Sequence, residues 1–483
     1  MKKLLFTTIA AIGFAQSATF AAEPAKPGSA GGPPAQSAKP NILLIVSDDQ
    51  SYPYLGCYGE PAIETPNLDQ MAAEGMKFHR MFVTSPQCSP SRCSLMTGRS
   101  SVASRTSRFG TPLPRAEVAF PELLRKDAGY FTGILGRIHH LDGHNAQKTD
   151  PELFQKHRLY TAKERLDYVD DSNQDNIPAR MQEFFDRRPQ GQPYFLQVNL
   201  NDPHLSWNTG KHPPDPAKVR VPKFLPDIPE VRKDLSLYEG ECEHADDLAR
   251  TIQEIVKKRA GLENTLILYF GDNGMAFPNG KCSLYDPGLN VPLLAWWPGV
   301  IKPGTESRAL ISGEDIAPTC LEAGGVTPPV DSGVSFLPLL RGQPFPRERE
   351  YIFAARAAHD VQPYGGKAVA AGPIDYSRCV RDARYKLIMN LTPERRYAPA
   401  QWDVNFCPHW KTMCKLHEQK KLAPVIDVKY FGPRSGFELY DLQNDPDELH
   451  NLYGQKELAP VVQKLKRALR DKMILDHDDL PLP

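Results

Sequence analysis

The segment from Cys88 to Arg99, C-S-P-S-R-C-S-L-M-T-G-R, has the most distinctive spacing of reactive side chains in the chain. Cys88 is a candidate nucleophile, and Arg92 places a cation at a fixed offset from it. The alternatives are an inert thiol or a disulfide between Cys88 and Cys93, but neither of them requires Pro90 and Arg92 at these positions. Cys88 with Arg92 at this offset is therefore a candidate reactive pair, with the inert thiol and the disulfide as the alternatives.

Two pairs of oxygen-bearing side chains are candidate metal ligands: Asp48 with Asp49, and Asp272 with Asn273. An Asp-Asp pair alone is more often a turn or a helix cap. Two such pairs beside a nucleophile favour a metal, because clustered carboxylates repel one another without a cation. Three carboxylates and one amide oxygen, with no Cys or His at zinc spacing, predict Ca²⁺, with Mg²⁺ as the alternative.

Each of these pairs directly follows an apolar run that is typical of a strand buried on both faces, 42–46 and 265–270. A third run, 194–200, ends before Asp202 and His204. In open α/β sheets the ligand crevice lies outside the carboxyl ends of the strands, so the three loops are expected to converge. Segments with helical periodicity alternate with the runs, which predicts an α/β fold with a mostly parallel sheet. They are 66–74, 121–127 and 246–259.

The sequence divides into four predicted regions. Residues 1–22 have a Lys-Lys start and an apolar run typical of a cleaved signal peptide, and 23–39 have the composition of a flexible linker. Residues 40–343 form the predicted catalytic domain. Residues 344–483 hold strand patterns without crossover helices and a closing helix at 458–473, which predicts a smaller antiparallel sheet plus helix.

The composition argues against some binding partners and against a membrane span. Lys plus Arg and Asp plus Glu are 58 each, so the net charge is zero, which argues against nucleic acid or an anionic membrane as the main partner. No later apolar stretch is long enough for a membrane span, and no Cys follows the signal segment to carry a lipid anchor. The sequence therefore predicts a soluble periplasmic or secreted protein. It has nine cysteines, so at least one cysteine cannot be in an intramolecular disulfide.

The Cys88 segment resembles the signature of the type I sulfatases, C-x-P-S-R-x-x-x-x-T-G-R. Six fixed positions coincide by chance on the order of once in 10^7 starts. The resemblance implies an alkaline-phosphatase-like fold and oxidation of Cys88 to formylglycine by a maturation enzyme. The hydrated aldehyde would be the nucleophile and would also contact the metal, and Cys88 would be the odd cysteine.

The resemblance extends to further site residues. Gly136-Arg137-Ile138-His139 is similar to the family's G-K-W-H, with Arg in place of Lys, and Asp202-Pro203-His204 is similar to its second histidine motif. It implies His139 as the base that collapses the sulfated intermediate, with His140 as the weaker alternative, and His204 as the acid on the leaving group. The implied cations around the nucleophile and the sulfate are Arg92, Arg137 and Lys281.

Within the family, several segments look most like the heparan N-sulfatase (sulfamidase) branch, among them 274–278 and 438–441. This implies N-sulfoglucosamine or an O-sulfated sugar of heparan or mucin as the substrate. A frequent sulfatase pattern, Y-E-x-G-x-R-V-P, has Asn290 here in place of Arg. His359 and Arg378 in the second domain are the candidate sugar contacts.

Two other functions remain open from the sequence. A phosphoester hydrolase of the same superfamily would carry Ser or Thr as nucleophile and His-rich zinc sites, whereas this chain has Cys and Asp/Asn. A non-catalytic protein that binds sulfated glycans would keep Cys88 as a thiol. The chemical state of residue 88 separates this second alternative from the sulfatase.

Overall fold

The computed structural model describes most of the chain, and the predicted signal peptide and residues 23–38 of the predicted linker lie outside the described part. The described residues are 39–143, 150–159, 162–208, 213–345, 348–359, 375–394, 397 and 407–483. They form one compact unit from Lys39 to Pro483. Within the described part, no helix is both long enough and apolar enough to cross a membrane.

The larger of two sheets has nine strands, in the order β4-β3-β5-β1-β6-β7-β2-β8, with β9 also paired to β2. The strands are β1 (Asn41–Ser47), β2 (Met76–Phe82), β3 (Phe131–Leu135), β4 (Tyr168–Asp170), β5 (Tyr194–Asn199), β6 (Thr265–Gly271), β7 (Asn290–Trp296), β8 (Thr305–Ser307) and β9 (Ile311–Ser312). Strands β4, β3, β5, β1 and β6 run parallel, and β7 is antiparallel to both of its neighbours. The sheet is therefore mixed and mostly parallel, as predicted.

Helices cover both faces of this sheet. The helices of the described residues are α1 (Pro66–Glu74), α2 (Cys88–Thr97), α3 (Phe120–Ala128), α4 (Pro151–Lys156), α5 (Ala162–Arg165), α6 (Ile177–Arg187), α7 (Pro229–Arg259), α8 (Asp286–Leu289), α9 (Ile316–Ala323), α10 (Leu337–Leu340), α11 (Pro408–Glu418), α12 (Pro424–Phe431) and α13 (Ala459–Leu475). Alternate residues of β1 enter opposite cores: Leu44 lies in the core that includes α2, α3 and α9, and Leu43 lies in the core that includes α1, α6 and α7. Burial on both faces explains the uninterrupted apolar run of β1.

The second sheet has four antiparallel strands, β10 (Ile352–Arg356), β11 (Ser377–Arg381), β12 (Tyr385–Asn390) and β13 (Phe437–Asp441). One of its faces, with Leu387 and Leu439, packs against Leu465 and Leu469 of α13. The opposite face, with Ile388 among others, joins the core of the larger sheet. The predicted antiparallel sheet with a closing helix is confirmed, whereas the boundary between residues 343 and 344 stays a prediction.

Candidate active site

Register between the central strands brings the four predicted metal ligands together. Strands β1 and β6 are parallel neighbours, and their last residues, Ser47 and Gly271, are paired. Asp48 and Asp272 directly follow these two residues, so they lie side by side. The backbone N–H of Asp49 donates to the Asp272 carboxylate at 3.0 Å. Asp49 has a left-handed backbone with φ of 65°, which turns the chain sharply after the strand.

Cys88 is the first residue of α2 and faces this cluster. Its Sγ lies 3.4 Å from Oδ1 of Asp48 and 3.8 Å from Oδ1 of Asp49. One ligand atom from each of Asp48, Asp49, Cys88 and Asp272 lies within 4.8 Å of the others, and all four residues are buried. The structure therefore brings the predicted nucleophile and the predicted metal ligands to one point.

The donor atoms of this cluster fit a hard cation. The Asn273 amide donates through Nδ2 to Asp49 Oδ1 at 2.7 Å and to the Gly274 carbonyl at 2.9 Å. These bonds fix the orientation of the amide and leave its buried Oδ1 without a hydrogen-bond partner. A buried acceptor beside three carboxylates suits Ca²⁺ or Mg²⁺, because both ions prefer oxygen ligands.

Two arginines form ion pairs with carboxylates of the cluster. Arg92 donates from Nε to Asp272 at 2.8 Å and from Nη1 to the side chain of Asn199 at 2.7 Å. Arg137 Nε lies 2.7 Å from Oδ2 of Asp48. The Arg that replaces the family's Lys thus contacts a predicted metal ligand directly.

Charge and burial act differently on the acids of the cluster. Burial opposes ionisation of Asp48, but Arg137 and Arg92 outweigh it and hold the pKa of Asp48 well below its usual range. Burial raises the pKa of Asp272, and the neighbouring Asp48 and Asp49 charges add to that effect against Arg92. Burial, followed by the Asp48 charge, raises the pKa of the Cys88 thiol well above its usual value. Without a bound cation, these effects favour the protonated thiol of an unmodified Cys88.

Lys281 and His204 approach the cluster together. Lys281 Nζ lies 3.0 Å from Oδ2 of Asp49 and 3.1 Å from Nε2 of His204. The other ring nitrogen of His204, Nδ1, bonds to the carbonyl of Leu205, so Nδ1 carries a proton. Nε2 is therefore the nitrogen of His204 that faces the site.

The two adjacent histidines have different surroundings. His139 Nδ1 lies 3.3 Å from the Asp171 carboxylate, and the His139 side chain is 23% exposed. His140 is buried, and its Nδ1 lies 2.9 Å from Oγ of Ser89. One ring nitrogen of His140 lies within 4.8 Å of ligand atoms of Asp48 and Cys88. The structure thus brings the weaker sequence candidate, His140, to the nucleophile.

The two predicted sugar contacts lie in different surroundings. The ring of His359 lies 4.4 Å from that of Phe109, which in turn lies 5.8 Å from the ring of His140. Arg378 binds the Asp478 carboxylate through two of its nitrogens, at 2.5 and 3.0 Å. Phe109 therefore links His359 to the cluster, whereas Arg378 is engaged in an internal ion pair.

The end of the Cys88 segment has a structural role. Gly98 ends α2 in the left-handed conformation with φ of 67°, and a Cβ there would lie 3.0 Å from the Cβ of Ala317. Arg99 pairs with Glu117 at 2.6 Å and with Asp331 at 3.1 Å. Thr97, Gly98 and Arg99 thus fix the end of the helix whose first residue is Cys88.

Several residues of the candidate site belong to no motif that the sequence analysis identified. Asn199 at the end of β5 bonds both Arg92 and the carbonyls of Leu135 and Gly136, and Ser89 bonds His140. A motif position without a fixed residue type, such as Ser89, gives no signal in one sequence. All nine cysteines lie within the described residues and all are free thiols, which excludes the disulfide alternative for Cys88 and Cys93 in this structure.

The mixed sheet and the buried acidic cluster around Cys88 define a hydrolase of the alkaline-phosphatase-like class. The Sulfatase family matches residues 40–326, which is more than half of the chain, and the chain belongs to this family. A second family, described as N-sulphoglucosamine sulphohydrolase, C-terminal, matches residues 279–409 and 417–474. The protein is therefore an enzyme of the sulfuric ester hydrolase type.

Individual relatives agree with this assignment. The chain is 29% identical to an "Ulvan-active sulfatase" of Formosa agariphila, over 89% of this chain and 79% of that protein. It is 26% identical to the N-sulphoglucosamine sulphohydrolase of Homo sapiens, over 91% of this chain and 90% of that protein. Its fold is similar to the solved structure of BT4656 in complex with its substrate D-Glucosamine-2-N, 6-O-disulfate, with a TM-score of 0.66 and 18% identity over 92% of this chain and 99% of that one.

Proposed function

We propose that this protein is an exported sulfatase that removes sulfate from saccharides through a formylglycine at residue 88. The observation that carries the proposal is the position of Cys88, 3.4 Å from Asp48 and within reach of the other acidic ligands. A free thiol is disfavoured as a nucleophile there, because burial and the carboxylates raise its pKa. A neutral aldehyde hydrate at the same position avoids that electrostatic penalty.

The first step transfers the sulfuryl group to residue 88. One hydroxyl of the hydrate gives its proton to the neighbouring Asp49 carboxylate, whose Oδ1 lies 3.8 Å from Sγ of Cys88, and its oxygen attacks sulfur. The bond from sulfur to the leaving oxygen or nitrogen breaks, and the leaving group takes up a proton. His204 would give that proton from Nε2 as the imidazolium, once Lys281, whose Nζ lies 3.1 Å from Nε2, has turned to bind the sulfate oxygens. A bound Ca²⁺ would supply charge stabilisation of the hydrate, held by Asp48, Asp49, Asp272 and Asn273.

The second step releases sulfate and regenerates the aldehyde. The remaining hydroxyl of residue 88 loses its proton, its oxygen forms the carbonyl, and the bond to the sulfate oxygen breaks. Between the two histidines, we assign the proton acceptor to His140, since it is buried beside Cys88 and oriented by Ser89. His139, which the sequence motif favours, remains the alternative.

The proposed substrates are sulfated saccharides, either N-sulfoglucosamine or O-sulfated sugars of heparan or mucin type. The supporting observations are the match of the second region to the N-sulphoglucosamine sulphohydrolase C-terminal family and the sugar in the BT4656 structure. Activity on ulvan fragments is a further expectation from the Formosa relative. A panel of N-sulfated, O-sulfated and ulvan-derived saccharides, assayed by sulfate release, distinguishes these substrates.

Peptide mass spectrometry across Cys88 tests the proposal most directly. The peptide from protein co-produced with a formylglycine-generating enzyme is expected to have the mass of the aldehyde or its hydrate, and sulfate release should increase with the converted fraction. Protein produced without that enzyme, with Cys88 as thiol, is the matched control and should be inactive. Full activity of the thiol form would exclude the formylglycine mechanism.

The phosphoester alternative is tested on the same preparation. A phosphoester hydrolase should release phosphate from 4-nitrophenyl phosphate faster than sulfate from 4-nitrophenyl sulfate. The sulfatase proposal predicts the opposite preference. Binding of a sulfated saccharide by fully converted protein without any turnover would instead support the non-catalytic alternative.

A further inference from the structure

The loop that carries His204 is held by contacts from three other elements. The loop follows β5, and the backbone N–H of Asp48 donates to the carbonyl of Asp202 at 3.0 Å. Gln174 lies in the short 3-10 helix Gln174–Asn176, and its side-chain oxygen accepts from the backbone N–H of Asn201 at 2.8 Å. These bonds fix the backbone just before His204.

The Asp202 side chain provides the third contact. Asp202 is 1% exposed, and its carboxylate accepts from Gln174 Nε2 at 2.9 Å. Its other oxygen lies 2.5 Å from Nδ1 of His244, which projects from α7. The hydrogen bond to Asp202 raises the pKa of His244. A buried carboxylate is thus held between a side-chain amide and an imidazole two residues before His204.

We propose that His244 is a positioning residue, which acts through Asp202 to hold the His204 loop so that Nε2 of His204 faces Lys281 and the leaving group. The inference rests on the proposed function of His204 as the acid. His244 itself contacts neither Lys281 nor Cys88 among the bonds described for it. Its effect on catalysis must therefore pass through the loop.

Loss of the imidazole would leave the buried Asp202 carboxylate without its partner on α7. A buried acceptor that loses its donor is costly, so the carboxylate would be expected to turn toward water or toward another donor. Either movement shifts the backbone that carries His204. A misplacement of about 1 Å at an active site costs about 100-fold in rate, so even a smaller shift should be measurable.

The test uses converted holoenzyme and two aryl sulfates that differ in the basicity of the leaving phenol, 4-nitrophenyl sulfate and 4-methoxyphenyl sulfate. Because proton donation matters more for the basic phenol, His204→Ala should slow the methoxyphenyl substrate more. His244→Ala should show the same selectivity, with a loss on the methoxyphenyl substrate about tenfold greater than on the nitrophenyl one. His244→Asn should restore most of the activity, because its amide nitrogen can replace Nδ1 as the donor to Asp202.

A second His–Asp pair, between His409 of α11 and Asp234 of α7, provides the matched control. His409 Nδ1 lies 2.8 Å from the Asp234 carboxylate, and the His409 side chain is fully buried. His409→Ala should lower stability but slow both substrates by the same factor. In the double variant His204→Ala/His244→Ala, the second substitution should add almost nothing on the methoxyphenyl substrate, since both act on one proton transfer.

Different results would overturn the inference and the proposed function separately. Equal losses on the two substrates for His244→Ala, or losses that add fully in the double variant, would reject the positioning role and leave the acid role of His204 intact. An His204→Ala variant without leaving-group selectivity would reject the acid role, and the inference with it. Failure of His244→Asn to restore activity would also count against the inference.

Discussion

At the scale of single residues, the environment of Cys88 explains why a modified nucleophile suits this site. The thiol lies near Asp48, Asp49 and Asp272, and without a bound cation its ionisation would add negative charge to a buried acidic cluster. Sulfate monoesters are themselves anions, so an anionic nucleophile would also repel the substrate. A neutral hydrate that loses its proton in place avoids both penalties.

The assignment of the base leads to a prediction about two neighbouring histidines. His140→Ala should permit attack but not release, so sulfate should remain on residue 88, and steady-state turnover should fall by about 100-fold or more. His139→Ala, the adjacent control, should retain most of the turnover because its ring is partly exposed and bonds Asp171. A burst experiment with mass analysis of the residue-88 peptide measures both variants. Trapped sulfate in His139→Ala only would support the motif-based assignment instead.

A second prediction at this scale concerns the amide ligand. Asn273→Ala should weaken Ca²⁺ binding by about tenfold or more while the fold persists, because the amide lies in a loop after β6 and not in an apolar core. Calorimetric titration of metal-free protein measures the affinity. Asn444→Ala, an exposed asparagine far along the chain, is the control and should bind Ca²⁺ like the wild type. Stoichiometric zinc without calcium or magnesium in the purified protein would contradict the proposed ion.

At the scale of elements, α7 shows how a helix can bury acidic side chains. The apolar periodicity of 246–259 predicts only the second half of the helix, which begins at Pro229. Its first half contains buried Asp234, Glu239 and Glu241. Sequence periodicity did not reveal this half, because polar residues at buried positions interrupt the apolar pattern.

Glu239 provides the element-scale prediction. Both of its carboxylate oxygens are buried without a hydrogen-bond partner in the described structure, and burial, together with Glu60 and Glu243, raises its pKa to about 8. A carboxyl with a raised folded pKa binds more protons when folded, so its contribution to stability is complete below its ordinary pKa of 4.5 and is lost as the pH rises through 8. Glu239→Gln should therefore gain stability relative to the wild type as the pH rises from about 5 to about 8, by a total on the order of 4 kcal/mol.

Urea unfolding of calcium-saturated protein across this pH range measures the difference. Glu254→Gln, on the exposed side of α7, is the matched control, because water already solvates that carboxylate. A free-energy difference between Glu239→Gln and the wild type that does not change with pH would show that Glu239 is ionised throughout the range.

At the scale of the whole molecule, a buried charge cluster joins the two sheets. Lys386 of β12 is fully buried, and its Nζ lies 2.5 Å from Asp286 and 2.7 Å from Glu448. Nζ also donates to the carbonyl of Leu284, three residues after Lys281. The smaller sheet thereby supports the loop that carries a proposed sulfate-binding residue.

Removal of this buried cation should destabilise the molecule as a unit. Lys386→Met leaves the buried Glu448 carboxylate and the partly buried Asp286 carboxylate with less compensation, and we expect a loss of about 3 kcal/mol in a single unfolding transition. Lys464→Met is the control: this lysine is 53% exposed, and its ion pair with Glu350 should contribute less than about 1 kcal/mol. Denaturant unfolding measures both. Equal losses of unfolding free energy in the two variants, or separate unfolding transitions for the two sheets, would contradict the proposed role of Lys386.

Local patterns in the sequence were enough to predict the class of fold and most residues of the acidic cluster. Apolar runs that end in Asp48 and Asp272 indicated central parallel strands, and parallel strands bring their carboxyl ends to one edge of a sheet. The spacing from Cys88 to Arg99 indicated the family, which the match to residues 40–326 confirms. These features are local in the chain, so one sequence is enough to reveal them.

Which side chains contact one another depends on how distant segments pack in the folded chain. His139 and His140 are neighbours with nearly the same motif position, and the short helix Ile138–His140 directs one toward Asp171 and the other toward Ser89. The pairing of Asp202 with His244 joins residues 42 positions apart. Such contacts depend on the rotation of a helix and on packing between distant segments, and residue spacing along the chain does not specify either of these.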